Sequence, residues 1–199
     1  DAGCVGVLIG FESLRSDLLS TLNKKSNESV ELYERSLALL KQNHICVYAT
    51  FLFGVDGDDV SSFPRTLKFA MKHQFFLVAF NHLVPFPGTP LYAKLAGQGR
   101  MISDAWWLEE SFRFGQVPYR PQMLPPDELA ETCRHYRRKF YSTKSIIRRA
   151  LAPMTNMQSL STLALFLIQN YYGRREVDEK FGIPLGLPEE NHLLADFNR

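Results

Sequence analysis

The 199 residues are 45% hydrophobic and 22% charged, with a formal net charge of +2. That composition excludes wholesale disorder and supplies enough apolar material for one sizeable domain, or a small one with an appendage. The charge is too small to argue for nucleic acid or a membrane as partner, and no signal peptide is visible. Cys4, Cys46 and Cys133 are odd in number and widely spaced, so they spell neither a disulfide framework nor a zinc or cluster loop. They read as small buried hydrophobes. Low cysteine use without an export signal fits a reducing cytoplasm. The chain opens on Asp1-Ala2-Gly3-Cys4 and runs straight into an apolar segment, so the expectation is a start truncated upstream.

The first half alternates strand and helix. Val5 to Ile9 is a short apolar run ending at Gly10, the pattern of a buried strand. A helix is expected from about Glu28 to Asn43, with Val30, Tyr33, Leu37 and Leu40 on one face. Ile45 to Phe53 is a second apolar strand, stopped by Gly54. Asp58 or Asp59 is placed to cap a following helix that carries Phe63, Leu67, Phe69 and Ala70. Phe75 to Val84 is the third strand, stopped by Pro85, and a helix from about Pro90 to Leu95 follows. Strands apolar on both faces, with helices between them, predict parallel pairing through right-handed crossovers. An open doubly wound sheet and a barrel of the (β/α) type both satisfy this. In both, function gathers in the loops after the strands, here 10–13, 54–59 and 85–90. Three strands alone would leave exposed edges, which again points to missing chain.

The second half changes character. Trp106, Trp107, Phe112 and Phe114 precede a proline-rich stretch from Pro118 to Pro126, and the tryptophans are expected to pack this part onto the strands. Asp127 starts a helix to about Tyr141, crowded with Arg134, His135, Arg137, Arg138 and Lys139. A second basic segment holds Lys144, Arg148 and Arg149. These cations read as a solvated face, with an anionic substrate or a partner domain as the alternative. An apolar helix from roughly Leu160 to Tyr172 is too short and too interrupted to span a bilayer. It reads as core or interdomain contact, with association at a membrane surface as the alternative.

Taken one by one, the loops offer a carboxylate (Glu12), an acidic turn (Asp56, Asp58, Asp59) and a rigid Pro87-Gly88 loop. There is no phosphate-binding glycine loop, no serine nucleophile elbow and no paired-histidine metal motif. The acidic turn reads as turn and cap chemistry before metal binding. Glu12 is either a charge at a helix start or a ligand contact. His82 reads as a core residue, and His44, His73, His135 and His192 as surface or core residues.

Order along the chain says more. Gly10-Phe11-Glu12-Ser13 followed by Lys24 or Lys25, then Thr50-Phe51-Leu52-Phe53-Gly54, then Val84-Pro85-Phe86-Pro87-Gly88-Thr89-Pro90-Leu91, resembles the second half of the radical S-adenosylmethionine core. The branch it resembles usually carries a cobalamin-binding domain upstream, and includes hopanoid methylases and the anaerobic cyclase of bacteriochlorophyll synthesis. Lys139-Phe140-Tyr141-Ser142, with Ser145-Ile146 and Arg148-Arg149, is similar to the C-terminal extension of several such proteins.

The resemblance implies an α/β fold: the last half of a partial (β/α)6 TIM-like barrel with parallel strands over 1–100, then a mostly α-helical extension over 101–199. It implies S-adenosylmethionine and a 4Fe-4S cluster as cofactors, the cluster's three-cysteine loop lying outside this chain, and cobalamin in an upstream domain. Glu12 and Ser13 would approach the ribose or amino-acid part of the cofactor. Thr50 would sit at an inward position that is acidic in some relatives. Pro87, Gly88 and Thr89 would lie against the adenine, largely through backbone groups. No residue here is expected to be catalytic or a metal ligand. The implied function is a share of the cofactor's nucleoside site and of the substrate site in a radical methyltransferase. A cyclase-like or other radical activity of the same branch is one alternative. A binding or structural module without chemistry is another, and an unrelated small-molecule-binding barrel a third. The expected partners are the N-terminal half of the same protein and a small-molecule or lipid-like substrate, with no nucleic acid. The chain by itself is expected to be inactive.

Overall fold

The computed structural model describes residues 3–21 and 30–185; Lys24, Lys25 and His192 lie outside them. Three parallel strands, β1 (Gly6–Glu12), β2 (Cys46–Phe53) and β3 (Leu77–His82), form one sheet in the order β1-β2-β3. This is the parallel α/β arrangement that the doubly apolar strands predict. Gly10 does not end the first strand, because it continues the ladder opposite Thr50.

Side-chain alternation divides the sheet into two faces. Phe11, Phe51, Phe53 and Phe80 point to one side and meet helices. These are α2 (Val30–Gln42), α3 (Ser62–Lys72) and α5 (Pro126–Phe140). Phe11 packs edge-on against Tyr33 of α2, Phe53 stacks on Phe63 of α3 with centroids 4.0 Å apart, and Phe80 meets Tyr136 and Phe140 of α5. The remaining elements are a short α1 (Ser16–Thr21), which no apolar periodicity announces, α4 (Pro90–Gly97), a 3-10 turn at Trp106–Leu108, α6 (Thr143–Ala150) and α7 (Leu160–Glu179).

The start of α3 differs from the expected single aspartate cap. Ser61 is the N-cap, with no side-chain cap bond of its own. Asp59 accepts from the Ser61 amide (2.7 Å), and Asp58 accepts from the Ser62 hydroxyl and the Gly54 amide. Two carboxylates thus brace the β2–α3 loop from just ahead of the helix.

The hydrophobic core runs without a break from β1 and β2 through Trp106 and Tyr119 to Phe140 and Val177. Helix α5 occupies the place over β3 that a following helix of a β/α repeat would fill. Helix α7 runs from the start of β3, where Phe166 meets Phe76, to a half-turn past Val177. It is longer than its apolar pattern suggests, because Gly173 sits inside it against the Tyr141 ring; a Cβ there would lie 2.8 Å from a ring carbon. Gly173 is a close-packing point inside the helix.

Arg149 holds this arrangement together. It is completely buried, and all five of its N–H donors have acceptors. Nη1 donates to the Phe75 and Phe76 carbonyls (2.9 and 3.2 Å), Nη2 to the Phe140 carbonyl and Asn170 Oδ1 (3.1 and 2.8 Å), and Nε to Ser145 Oγ (3.2 Å). Its guanidinium also lies 3.8 Å from the Phe140 ring centroid. One side chain therefore ties the start of β3 to α5, α6 and α7. Burial pushes its pKa down to about 10, so it remains charged at neutral pH. The arginine expected on a solvated face is instead a core residue.

Replacing Arg149 by Ala takes the Arg149 donor away from the Phe75 and Phe140 carbonyls and from Asn170 Oδ1, and leaves the Phe76 carbonyl with Asn170 alone. The expected cost is about 3–5 kcal/mol, the range for breaking a buried charged network. Arg149→Lys, which cannot reproduce the planar fork, should recover only a minor part. Urea denaturation midpoints of the two variants check both expectations.

Candidate functional site

The C-terminal end of β1 is strained. The Ser13 amide donates to the Phe11 carbonyl across a single residue (2.7 Å), and that residue, Glu12, has φ +61°. This is a γ-turn with positive φ, a rare and costly conformation. The ladder shifts register here, between Gly10 and Glu12. Two other non-glycine residues with positive φ, His44 and Gln74, have an ordinary explanation. Each ends the turn between a helix and the next strand, where the left-handed conformation closes the helix. Glu12 ends no helix. Its strain is held from outside by the Tyr33 hydroxyl, which also donates to the Phe11 carbonyl (3.1 Å).

Beside it, on the sheet face away from α2, α3 and α5, the register aligns Gly10, Thr50 and Ala79 across the three strands. Their small side chains make a trough. The next row of that face pairs Leu52 with Asn81. Thr50 is half-buried.

The other expected contacts are more committed to structure. Ser13 is buried, and its hydroxyl accepts from the Arg15 amide (3.1 Å). Thr89 is the N-cap of α4: it accepts from the Tyr92 amide (3.2 Å) and donates to the Phe86 carbonyl (2.7 Å). Pro87 and Gly88 are exposed at the tip of the loop after β3, and Gly88 has φ +77° with open space where a Cβ would be. Glu12, Thr50 and this loop all lie toward the C-terminal end of the sheet, while the hydroxyls of Ser13 and Thr89 are engaged locally.

The acidic loop after β2 does structural work. Asp56 pairs with Lys94 and Arg100, and Asp59 with Arg15. Burial raises the Asp58 pKa against the pull of its hydrogen bonds. Among the described residues no group of three or more His, Cys, Asp or Glu side chains is placed to hold a metal ion. Gly54 opens this loop with φ +88°, and a Cβ there would meet Leu129 and the Tyr119 hydroxyl at 2.6 and 2.7 Å. Tyr119 donates that hydroxyl to the Gly54 carbonyl (2.7 Å), which locks the extension to the end of β2.

Sequence reasoning missed a cavity of about 460 Å³ between the end of β3 and helices α5 and α7. Leu52, Asn81 and His82 form its floor and Trp106, Phe112 and Phe181 part of its walls. Through Leu52 and Asn81 it adjoins the Gly10–Thr50–Ala79 trough. Trp106 is buried and donates to the Pro85 carbonyl (3.3 Å), so it does join the later part of the chain to the strands; Trp107 stays partly exposed. Burial, reinforced by the Arg137 charge, pushes the His82 pKa down to about 4 despite a hydrogen bond to the Gln116 backbone. Cys133 lines the same cavity with its thiol pushed up to about 12 by burial, a protonated and unreactive state. Cys46 is buried and Cys4 exposed.

The chain is 31% identical over 148 residues to bacteriochlorophyllide d C-12(1)-methyltransferase of Chlorobaculum tepidum, covering 74% of this chain and 31% of that protein. It is 25% identical over 145 residues to the anaerobic magnesium-protoporphyrin IX monomethyl ester cyclase of Cereibacter sphaeroides, covering 73% of this chain and 22% of the cyclase. Against the hopanoid C-2 methylase of Rhodopseudomonas palustris the values are 22% over 143 residues, 72% of this chain and 25% of the methylase. The chain is homologous to radical S-adenosylmethionine enzymes. It spans less than a third of the length of these curated relatives. No family model matches it. As a radical S-adenosylmethionine relative it joins the motif resemblance of its loops to a likeness running through most of the chain.

Two outcomes are expected. Glu12→Gly removes the γ-turn strain and should stabilise the fold by about 1 kcal/mol, while Glu12→Ala should not; thermal melts separate the two. His82 is depressed in the folded state relative to its ordinary value near 6.5. The unfolded chain therefore binds the extra proton first, and stability falls as pH drops from about 6.5 toward 4. Denaturation midpoints measured at pH 7 and pH 5 should differ less in His82→Asn than in the parent.

Proposed function

We propose that this chain forms the later strands and the helical extension of a radical S-adenosylmethionine methyltransferase, with the cluster-binding cysteines and the first strands of a six-unit partial barrel supplied by sequence outside residues 1–199. The observation that carries this reading is the strained Glu12 turn set beside a trough of small residues. Strain of this kind persists where the surrounding structure over-determines it, and it concentrates at ligand sites. Gly10, Thr50 and Ala79 leave room for a flat nucleoside. Glu12 would receive the ribose hydroxyls or the ammonium group, and the Pro87–Gly88 backbone would line the adenine. Because the Ser13 and Thr89 hydroxyls are engaged locally, their share of the site would be to hold these loops in shape. S-adenosylmethionine, bound beside a reduced four-iron cluster, supplies one-electron cleavage chemistry. The chain's own residues position it and keep the neighbouring cavity dry.

Methyl transfer is preferred to cyclisation because the higher identities are to methyltransferases. A cobalamin domain upstream would supply the methyl group in this reading. The substrate class carried over from the relatives' names is a magnesium tetrapyrrole, whose size and apolar body suit the aromatic cavity next to the trough. No helix among the described residues is long and apolar enough to cross a membrane.

Anaerobic iron–sulfur reconstitution of the intact protein, with a reductant, should yield 5′-deoxyadenosine from S-adenosylmethionine. No cluster and no cleavage would overturn the reading. In that protein Glu12→Ala should weaken S-adenosylmethionine binding about tenfold, the loss of one charge-assisted hydrogen bond. Unchanged affinity in equilibrium dialysis removes Glu12 from the site.

A further inference from the structure

Arg134 and Arg137 of α5 line the cavity, and they are not equivalent. Arg134 pairs with Glu131 and Asp178, and Arg138 pairs with the same two carboxylates. Both charges are neutralised between α5 and α7. Arg137, which also lines the cavity, has no carboxylate partner among the described residues. Its one hydrogen bond runs from Nη2 to Asn81 Oδ1, a neutral amide on the cavity floor. A guanidinium has five donors, so most of Arg137's capacity is unspent beside an otherwise apolar space.

The other charged and titratable groups around the cavity do not answer it. Glu176 pairs with Lys180. Cys133 and His82 are neutral at physiological pH. The walls are aromatic: Phe80 and Trp106 on one side, Phe112 and Phe114 near the mouth, and Phe181 over Gly115 as a roof. Gly115 has φ +92°, and a Cβ there would strike the Phe181 ring at 2.6 Å, so the ring packs directly on the Gly115 backbone. Rings of this density favour a flat conjugated ligand through offset and edge contacts, and a cavity of this size takes one.

We infer that the cavity between β3, α5 and α7 is the substrate site, and that Arg137 selects the ligand by pairing with a free carboxylate at the edge of a flat conjugated ring system. Asn81 holds the guanidinium in place by accepting one of its N–H groups. The carboxylate takes the fork that remains, and the ring lies between Trp106 and the phenylalanines. The floor residues Leu52 and Asn81 put that ring next to the trough assigned above to the cofactor. The inference rests on the proposed function for calling the ligand a substrate, but binding itself needs neither cluster nor cofactor.

The test is a binding titration of the intact protein without S-adenosylmethionine, using magnesium protoporphyrin IX monomethyl ester, which has one free carboxylate, and its dimethyl ester, which has none. The monomethyl ester is expected to bind at least tenfold more tightly and to quench tryptophan fluorescence. Arg137→Met should weaken the monomethyl ester by about 10- to 100-fold, the loss of a hydrogen-bonded charge pair, and leave the dimethyl ester unchanged. Retained dimethyl ester binding also shows that the variant is folded. Arg137→Lys should restore part of the preference. Equal affinity for both esters, an Arg137→Met loss shared by both, or no binding would overturn the inference. Failure to cleave S-adenosylmethionine with ester discrimination intact would instead strike the proposed function alone.

Discussion

A buried guanidinium without a carboxylate is the constraint on which this structure is built. A cation taken out of water costs several kcal/mol unless every donor is satisfied. Arg149 meets that requirement with carbonyls from the β3 start and α5, an α7 amide and an α6 hydroxyl. None of these elements can shift alone without orphaning a donor. The later helices are therefore bound to the sheet as part of one core and do not sit on it as a separate lobe. Asn170 completes the arrangement by donating to the Phe76 and Phe166 carbonyls while accepting from Arg149.

The anchor has a consequence for the sheet. With α5 and α7 fixed, the Tyr141 hydroxyl lies against Val78, accepting from its amide at 3.2 Å and donating to its carbonyl at 3.0 Å. A strand residue's N–H and C=O point to the same side, so one phenol closes that position of the β3 edge, and its burial pushes the Tyr141 pKa to about 12. The opposite edge is different. Leu8 of β1 and Val5 just before it are each 64% exposed, which is unusual for a parallel sheet.

Much of the framework was legible because it rests on local rules. Doubly apolar runs with helices between them give parallel strands, and the loops after those strands do carry the candidate site. The misreadings share a cause, namely side chains whose role is set by residues distant in sequence. The expected end of the last helix near Tyr172 falls short of Glu179, and Gly173 inside it packs against Tyr141. Arg149 reads as one more surface cation in a basic segment until the Phe75 and Phe76 carbonyls, 74 and 73 positions away, are seen around it. The cavity was invisible for the same reason, since its floor belongs to β2 and β3 and most of its walls to the extension. Glu12 was identified from its motif, but its γ-turn strain depends on Tyr33, 22 positions from Phe11.

Stability and strain are placed at opposite ends of the sheet. Arg149, Asn170 and the Phe76–Phe166 contact gather where β3 begins, the end of a β/α array that serves stability. The costly features collect at the other end: a γ-turn at Glu12, an imidazole held neutral at His82, and an Arg137 guanidinium with no carboxylate partner among the described residues. Each would be eliminated by a sequence selected for stability alone, and each is individually removable without disturbing the Arg149 anchor. Their convergence around one trough and one adjoining cavity is therefore best explained by ligands that compensate them. Under the proposed function a carboxylate would offset Arg137, a flat ring would fill the aromatic walls, and a nucleoside would engage Glu12 across the small residues of the sheet.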